Sequence, residues 1–318
     1  LVAIASVSGA RWFDPLRAVA LDVAGTIPLF ALLFLVLLSG LGVLYPWVNG
    51  RGLPNGAWLN PPWFLGRAAL YFAVWIGVAL TLRRWALAAG VDTAAPPSAR
   101  ERALAGAALP ALGLTLTFAA FDWIMSLDPA WSSTVFGVYW FAGGFLAALA
   151  VVTLAAVSRV GEGGRATHLP AAQGYALGAL MLTFAVFWAY IAYSQYFIIW
   201  IADVPAEVAW YAPRVRGGWG VLALVVLVGQ LALPLLVLLL YAAKRSARAM
   251  GMVAAWLLVV HYLDTYWLVL PAIHPDGPHP HWLDLSAIAA VGGTASAWAG
   301  WLGRRGGAGE QGAVSGKR

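Results

Sequence analysis

Residues 172–200 read AQGYALGALMLTFAVFWAYIAYSQYFIIW and hold no Asp, Glu, Lys or Arg. A bilayer core is crossed by about 20 apolar residues of helix. Backbone polar groups cannot be left bare in lipid, so only helices and closed barrels span it. This run is too long for a barrel strand and reads as a membrane-spanning helix. Seven more runs of the same kind lie at roughly 26–45, 63–82, 103–121, 135–157, 218–241, 250–270 and 283–302. Helix breakers separate them: Pro46, Pro61-Pro62, Pro96-Pro97, Pro129, Pro170, Pro205, Pro213 and Pro271. The expected fold is an all-α integral membrane protein of about eight transmembrane helices.

Composition excludes the other broad classes. Of 318 residues, 62 % are hydrophobic and 10 % charged, against about 25 % charged in a soluble domain. A soluble enzyme, a disordered chain and a nucleic-acid-binding domain are ruled out. Without any Cys there is no disulfide, thiolate zinc site or cysteine-ligated iron–sulfur cluster in this chain. The chain opens on Leu1 rather than Met, and its natural beginning is expected upstream.

The net charge of +6 is explained by loops, because Lys and Arg accumulate on the cytoplasmic side of a membrane protein. Of the 19 basic residues, 15 fall in one alternating set of segments: Arg11, Arg17, Arg83, Arg84, Arg100, Arg102, Arg159, Arg165, Lys244, Arg245, Arg248, Arg304, Arg305, Lys317 and Arg318. The other set holds Arg51, Arg214 and Arg216, with Arg67 a little inside the second span. Both termini are therefore expected in the cytoplasm. Trp47, Trp58, Trp63, Trp123, Trp131, Trp200, Trp210, Trp219, Trp267 and Trp282 gather near the outer ends, a one-sided aromatic belt. Trp58, Trp131, Trp210, Tyr211 and Trp282 are expected to be exposed there and to dock an outer partner. The glycine-rich end, 303–318, is expected to be a disordered cytoplasmic tail.

A charge inside the membrane costs about 2.5–3.5 kcal/mol on insertion scales, so each one needs a reason. Asp122 precedes Pro129 by seven residues, and Asp264 precedes Pro271 by the same spacing. Four spans separate them, so they lie on one side and hint at a repeat of two parallel four-helix units. His261 is three residues before Asp264, on the same helix face and one turn deeper. Arg67 and Gln195, with Tyr190, Tyr193 and Ser194 near Gln195, lie at similar depth. These groups are expected to share one layer in the outer third of the membrane. Each also has a bland reading: Arg67 snorkels to headgroups, an aspartate near a helix end reaches water, and tyrosines anchor the interface. The inner half carries almost no ionisable group. Gln230 stands mid-span, where Pro234 frees its carbonyl, as Pro110 frees that of Gly106.

Other chemistries fail. A bis-histidine haem needs two imidazoles in the membrane, and only His261 is there. The outer His274, His279 and His281 sit in a proline-rich loop without fixed geometry, so no metal site is expected. Gly161-Glu162-Gly163-Gly164 is a turn, not a phosphate cradle.

The stretch FDWIMSLDPAWSSTVFGVYWFAGG (121–144) resembles the quinone-binding membrane component F of bacterial alternative complex III. So do LTFAVFWAYIAYSQYFIIWIADVPAEVAWY (182–211), RGGWG (216–220), LDTYWLVLPAIHP (263–275), HWLDL (281–285), RAALYFAVW (67–75) and LYPW (44–47). The resemblance runs through nearly the whole chain in order. It implies a quinol:cytochrome c oxidoreductase in the bacterial cytoplasmic membrane. It also implies a polysulfide-reductase-like (NrfD-like) architecture of two four-helix bundles with flanking helices. Such members have ten helices, and SGARWFDPLRAVAL (8–21) resembles the link after their second helix, so an N-terminal helix pair is expected to be missing. The division that follows is 1–134 for an incomplete first bundle, 135–282 for the second and 283–302 for a last helix. The implied ligand is a quinone, menaquinone or ubiquinone. The implied partners are an NrfD-like sister subunit, an outer iron–sulfur subunit, c-type cytochrome subunits and membrane lipid.

Two classes of function remain. As a redox subunit, the chain would offer His261 with Asp264 as proton acceptor, the carboxylate orienting the imidazole. Asp122 would pass protons toward Asp128. Arg67 would hold a quinone oxygen or a carboxylate, with Gln195 and Tyr190 beside the pocket. As a scaffold or assembly subunit it would use the same residues as intersubunit contacts. A solute transporter is disfavoured, because its polar residues would sit at the midplane in broken helices.

Overall fold

A computed structural model describes residues 1–50, 55–89, 97–158 and 169–315, with side chains as far as Arg304. Arg51, Pro96, Arg159, the turn Gly161–Gly164, Arg165, Lys317 and Arg318 lie outside the described residues, and only the backbone of Arg305 is described. Among the described residues every regular element is helical, and eight helices are long and apolar enough to cross a membrane. The chain is an all-α, multi-pass membrane protein.

In chain order we label α1 (Arg11–Ser39), α2 (Pro61–Ala88), α3 (Ala99–Trp123), α4 (Phe136–Ser158), α5 (Ala171–Ala202), α6 (Pro205–Arg214), α7 (Gly217–Leu239), α8 (Ala247–Val269) and α9 (Trp282–Ser315). All but α6 are spans. Their boundaries follow local chemistry. Pro61-Pro62 and Pro205 open α2 and α6, where a missing N–H costs nothing. Ser98 and Glu101 form a capping box at the head of α3. The Ser246 hydroxyl accepts from the Ala249 N–H and caps α8. In α7 the kink expected at Pro234 is taken up by one π turn over Val228–Ala232. That turn frees the Gly229 carbonyl, which accepts from the Trp256 indole at 2.8 Å.

Two boundaries depart from expectation. The first span does not run over 26–45. It starts at Arg11, is interrupted at Gly25–Thr26 and ends at Ser39, and residues 41–49 form two short separate turns. In sequence, Arg17 reads as a loop charge. In the structure Arg17 pairs with Glu101 at 2.5 Å and Asp22 with Arg83 at 3.4 Å, so both can sit in helix. One set of helix ends in the first unit thus holds ion pairs that the sequence did not reveal. At the other end, residues 303–315, expected to be disordered, continue α9 as helix. Propagating an existing helix costs far less than starting one.

The chain divides into two compact units. The first comprises residues 1–40, 67–115 and 280–318. Within it the stretch Asp14–Ala24 packs against α9, and Arg83 donates to the Leu302 carbonyl at 3.0 Å. The Trp75 indole donates to the Thr115 hydroxyl at 2.9 Å. The second unit comprises 41–66 and 116–279. There α4, α5, α7 and α8 pack around a core of Leu146, Leu149, Leu177, Met181, Met250 and Leu257. Antiparallel α4 and α8 make its longest seam, and that seam carries the polar residues of interest.

Candidate functional site

Two rungs join α4 to α8. On the first rung, the Tyr139 hydroxyl donates to Asp264 Oδ1 at 2.5 Å, and Asp264 is only 2 % exposed. The Trp188 indole of α5 approaches the same carboxylate without closing a hydrogen bond of normal geometry. One turn deeper, the His261 imidazole lies against Gly143. A Cβ there would stand 3.3 Å from the ring and 3.4 Å from Trp188, so glycine leaves room for the imidazole. Trp140 flanks it, with ring centroids 6.1 Å apart. His261 Nδ1 is buried and has no hydrogen-bond partner.

The expected pairing of His261 with Asp264 does not occur. They point into the same seam, but the carboxylate is held by Tyr139. A three-residue spacing puts neighbours on one face of a helix; it does not make the shorter side chain turn back along it. Tyr139, Trp188 and Gly143 complete this site, and none was singled out in the sequence. The pair Gly143-Gly144 inside an aromatic run was the available signal.

Asp122 has its own setting. It is completely buried and accepts from the Trp58 indole at 2.9 Å. Beside it, the Tyr45 hydroxyl donates to the Trp123 carbonyl at 3.0 Å. Tyr45, Trp47 and Phe64 form a triangle with each pair of ring centroids 5.4 Å apart. Tyr45 and Trp58 thus tie their stretches of chain onto the end of α3 around Asp122.

Gln195 is buried on α5 and lines a cavity of about 490 Å³ with Phe121, Met125, Ser133, Ile199 and Glu207. Its Oε1 has no partner, while its amide approaches the Tyr211 hydroxyl. Tyr190, expected beside it, is 64 % exposed and lies outside the pocket. Five residues turn a helix by roughly 500°, which leaves the two side chains about 140° apart. Arg67 is half-buried and belongs to the first compact unit, so its expected place in the layer of Asp122 and Asp264 gains no support.

The end of the second unit near Asp264 is closed by α6. Trp131 and Trp210 stack at 4.2 Å, and the Arg214 guanidinium lies 3.7 Å from the Trp210 ring centroid. Arg214 donates to the carbonyls of Trp210 and Leu268 at 2.7 and 3.0 Å, and Trp267 donates to the Arg214 carbonyl. Burial brings the Arg214 pKa down to about 10, against the opposing pull of Asp128 and Tyr211. Trp131, Trp210 and Tyr211, expected as exposed docking residues, are buried in this clasp, whereas Trp58 and Trp282 do stay exposed. In the loop before α9 His274 and His279 face each other at 5.4 Å, and among the described residues no three metal-binding side chains converge.

This arrangement keeps a carboxylate and an imidazole out of water one turn apart, and sets an unpartnered amide oxygen at Gln195 beside a separate cavity. No protein-family model matches the chain, and no curated protein matches it.

Proposed function

We propose that this chain is a membrane subunit of a quinol:electron-acceptor oxidoreductase of the alternative complex III type, in the bacterial cytoplasmic membrane with both termini inside. The observation that carries the reading is the cavity at the outer end of α5, where the buried Gln195 amide oxygen has no partner. Its lining is mainly apolar with a few hydroxyl, amide and carboxylate groups, as a quinol pocket requires. Gln195 Oε1 would accept from a quinol hydroxyl. Quinol oxidation releases two electrons and two protons. With no Cys in the chain, a cysteine-ligated iron–sulfur acceptor belongs to an outer subunit, with c-type cytochromes beyond it. The sister NrfD-like subunit shares the membrane.

His261 and Asp264 are the proton-holding groups of this reading. The His261 Nδ1 has no hydrogen-bond partner and would take up the proton in this reading. Asp264 is the anion whose field would stabilise the imidazolium one turn away. A scaffold role is the second reading, and the Tyr139–Asp264 bond favours it, because a buried carboxylate with a fixed donor also serves as an interhelix clamp.

The test is turnover of the purified native assembly with quinol. Asp264→Asn keeps the side-chain size and the bond to Tyr139, and is expected to slow turnover at least about tenfold, the low end of what general base catalysis contributes. Gln195→Leu is expected to raise the KM for quinol. An assembled Asp264→Asn, His261→Gln double variant that turns over at the wild-type rate would leave the scaffold reading standing alone.

A further inference from the structure

We propose that the end of the second unit opposite Asp264 binds the phosphate of an anionic phospholipid. After Leu239 the chain is extended at Leu240 and again at Ser246, which leaves Tyr241–Arg245 as an isolated turn. That turn is pressed onto the start of α5. A Cβ on Gly174 would stand 2.6 Å from the Lys244 carbonyl oxygen, and one on Gly178 would stand 2.7 Å from Lys244 Cγ. The two glycines cut the groove in which the Lys244 stem lies, and the residue is 9 % exposed.

The charges form a connected array. The Lys244 ammonium is 4.6 Å from the Tyr175 ring centroid, and Tyr175 meets Tyr241 at 5.6 Å. The Arg245 guanidinium is 5.4 Å from the Tyr241 ring, with Nη1 facing the Tyr241 hydroxyl at 3.4 Å. Arg248 is exposed on the next turn. Among the described residues neither Lys244, Arg245 nor Arg248 has a carboxylate partner. The Lys244 stem is buried and its ammonium reaches the surface beside Arg245 and Arg248, so a phosphate set over the array would be met by three cations at once.

Apolar surface adjoins the cations. Leu236, Leu239 and Leu240 are 61–69 % exposed along the last turns of α7. A ligand that satisfies both features has an anionic head and long apolar tails. Free phosphate would use the cations and leave the leucines unexplained. The assignment stands apart from the quinone reading and survives if that reading fails.

The test is native mass spectrometry of the purified full-length protein, in its native assembly, released from nanodiscs of phosphatidylglycerol or phosphatidylcholine. Retention of phosphatidylglycerol over phosphatidylcholine is expected. The triple variant Lys244→Met, Arg245→Gln, Arg248→Gln keeps the buried stem and is expected to weaken that retention by about 100-fold, from three surface cations. If the triple variant does not accumulate, the wild type is compared at low and high salt, and retention must fall as salt rises. Equal retention of both lipids, full retention by the triple variant, salt-independent binding, or displacement by millimolar inorganic phosphate would each overturn the proposal.

Discussion

Asp122 and Asp264 occupy matching places. Each stands seven residues before a proline near the end of its helix, and each helix then tightens into a 3₁₀ turn, Met125–Leu127 after α3 and Leu270–Ala272 after α8. Both carboxylates are buried and both accept from an aromatic side chain. The donors differ in kind. Trp58 comes from the segment before α2 and is 40 % exposed, while Tyr139 comes from the neighbouring helix and is almost wholly buried. Asp122 therefore fastens a loop to a helix end. Asp264 sits inside the helix bundle, beside an imidazole and a second indole. The same residue at the same spacing from a proline is an anchor at one helix end and part of a polar seam at another.

The comparison is broken most directly by removing each carboxylate. Asp264→Ala strands the Tyr139 hydroxyl inside the bundle, and we expect a loss of about 3 kcal/mol. Asp122→Ala strands an indole that can turn toward headgroups or water, so the expected loss is about 1 kcal/mol. Detergent or thermal unfolding of the two purified variants measures both. Equal losses would show that the two sites are equally enclosed.

A smaller effect separates packing from charge. Gly143→Val drives methyl groups into the imidazole of His261 and the edge of Trp188, and overpacking of that kind costs about 2 kcal/mol. Gly144→Val, one residue on, faces open space and is expected to cost less than half as much. Similar losses at both positions would mean that Gly143 is not the notch for His261. Trp58→Phe keeps the ring and removes the donor to Asp122, for an expected loss of about 1 kcal/mol.

The spans were legible because lipid imposes one demand on every residue of a segment. Asp122, His261, Asp264 and Gln195 were legible because a polar group in such a segment stands out. Their partners were not. Tyr139, Trp188 and Trp58 belong to a chain rich in belt aromatics, and nothing local marks which indole or hydroxyl meets a carboxylate. Arg17 looks like a loop charge until Glu101, more than sixty residues away, is seen to pair with it. Tyr190 misleads because nearness in sequence is not a shared face. The outer tryptophans mislead in the opposite sense: a belt residue and a buried clasp residue have the same signature, and Trp131 and Trp210 prove to be stacked on each other.

The finest test of the contrast uses pH at the Asp122 end. Tyr45 lies outside the spans, almost wholly buried, and its pKa is raised first by that burial and then by the negative charge of Asp122. A tyrosine titrates near 10 in the unfolded chain. Below that pH both states keep the proton, and the stabilisation from burying the neutral phenol is fully present. Above it the unfolded state releases the proton while the folded state holds it, so stability falls as pH rises, by at most about 1.4 kcal/mol per unit from this one group. Tyr45→Phe removes that slope. At neutral pH the variant is expected to be less stable by about 1 kcal/mol, through loss of the bond to the Trp123 carbonyl. Between pH 10 and about 12 its curve should approach and then cross that of the wild type. Asp122→Asn should weaken the slope without abolishing it, because burial is the larger cause. Parallel unfolding curves for wild type and Tyr45→Phe across this range would mean that Tyr45 reaches water and does not close over Asp122.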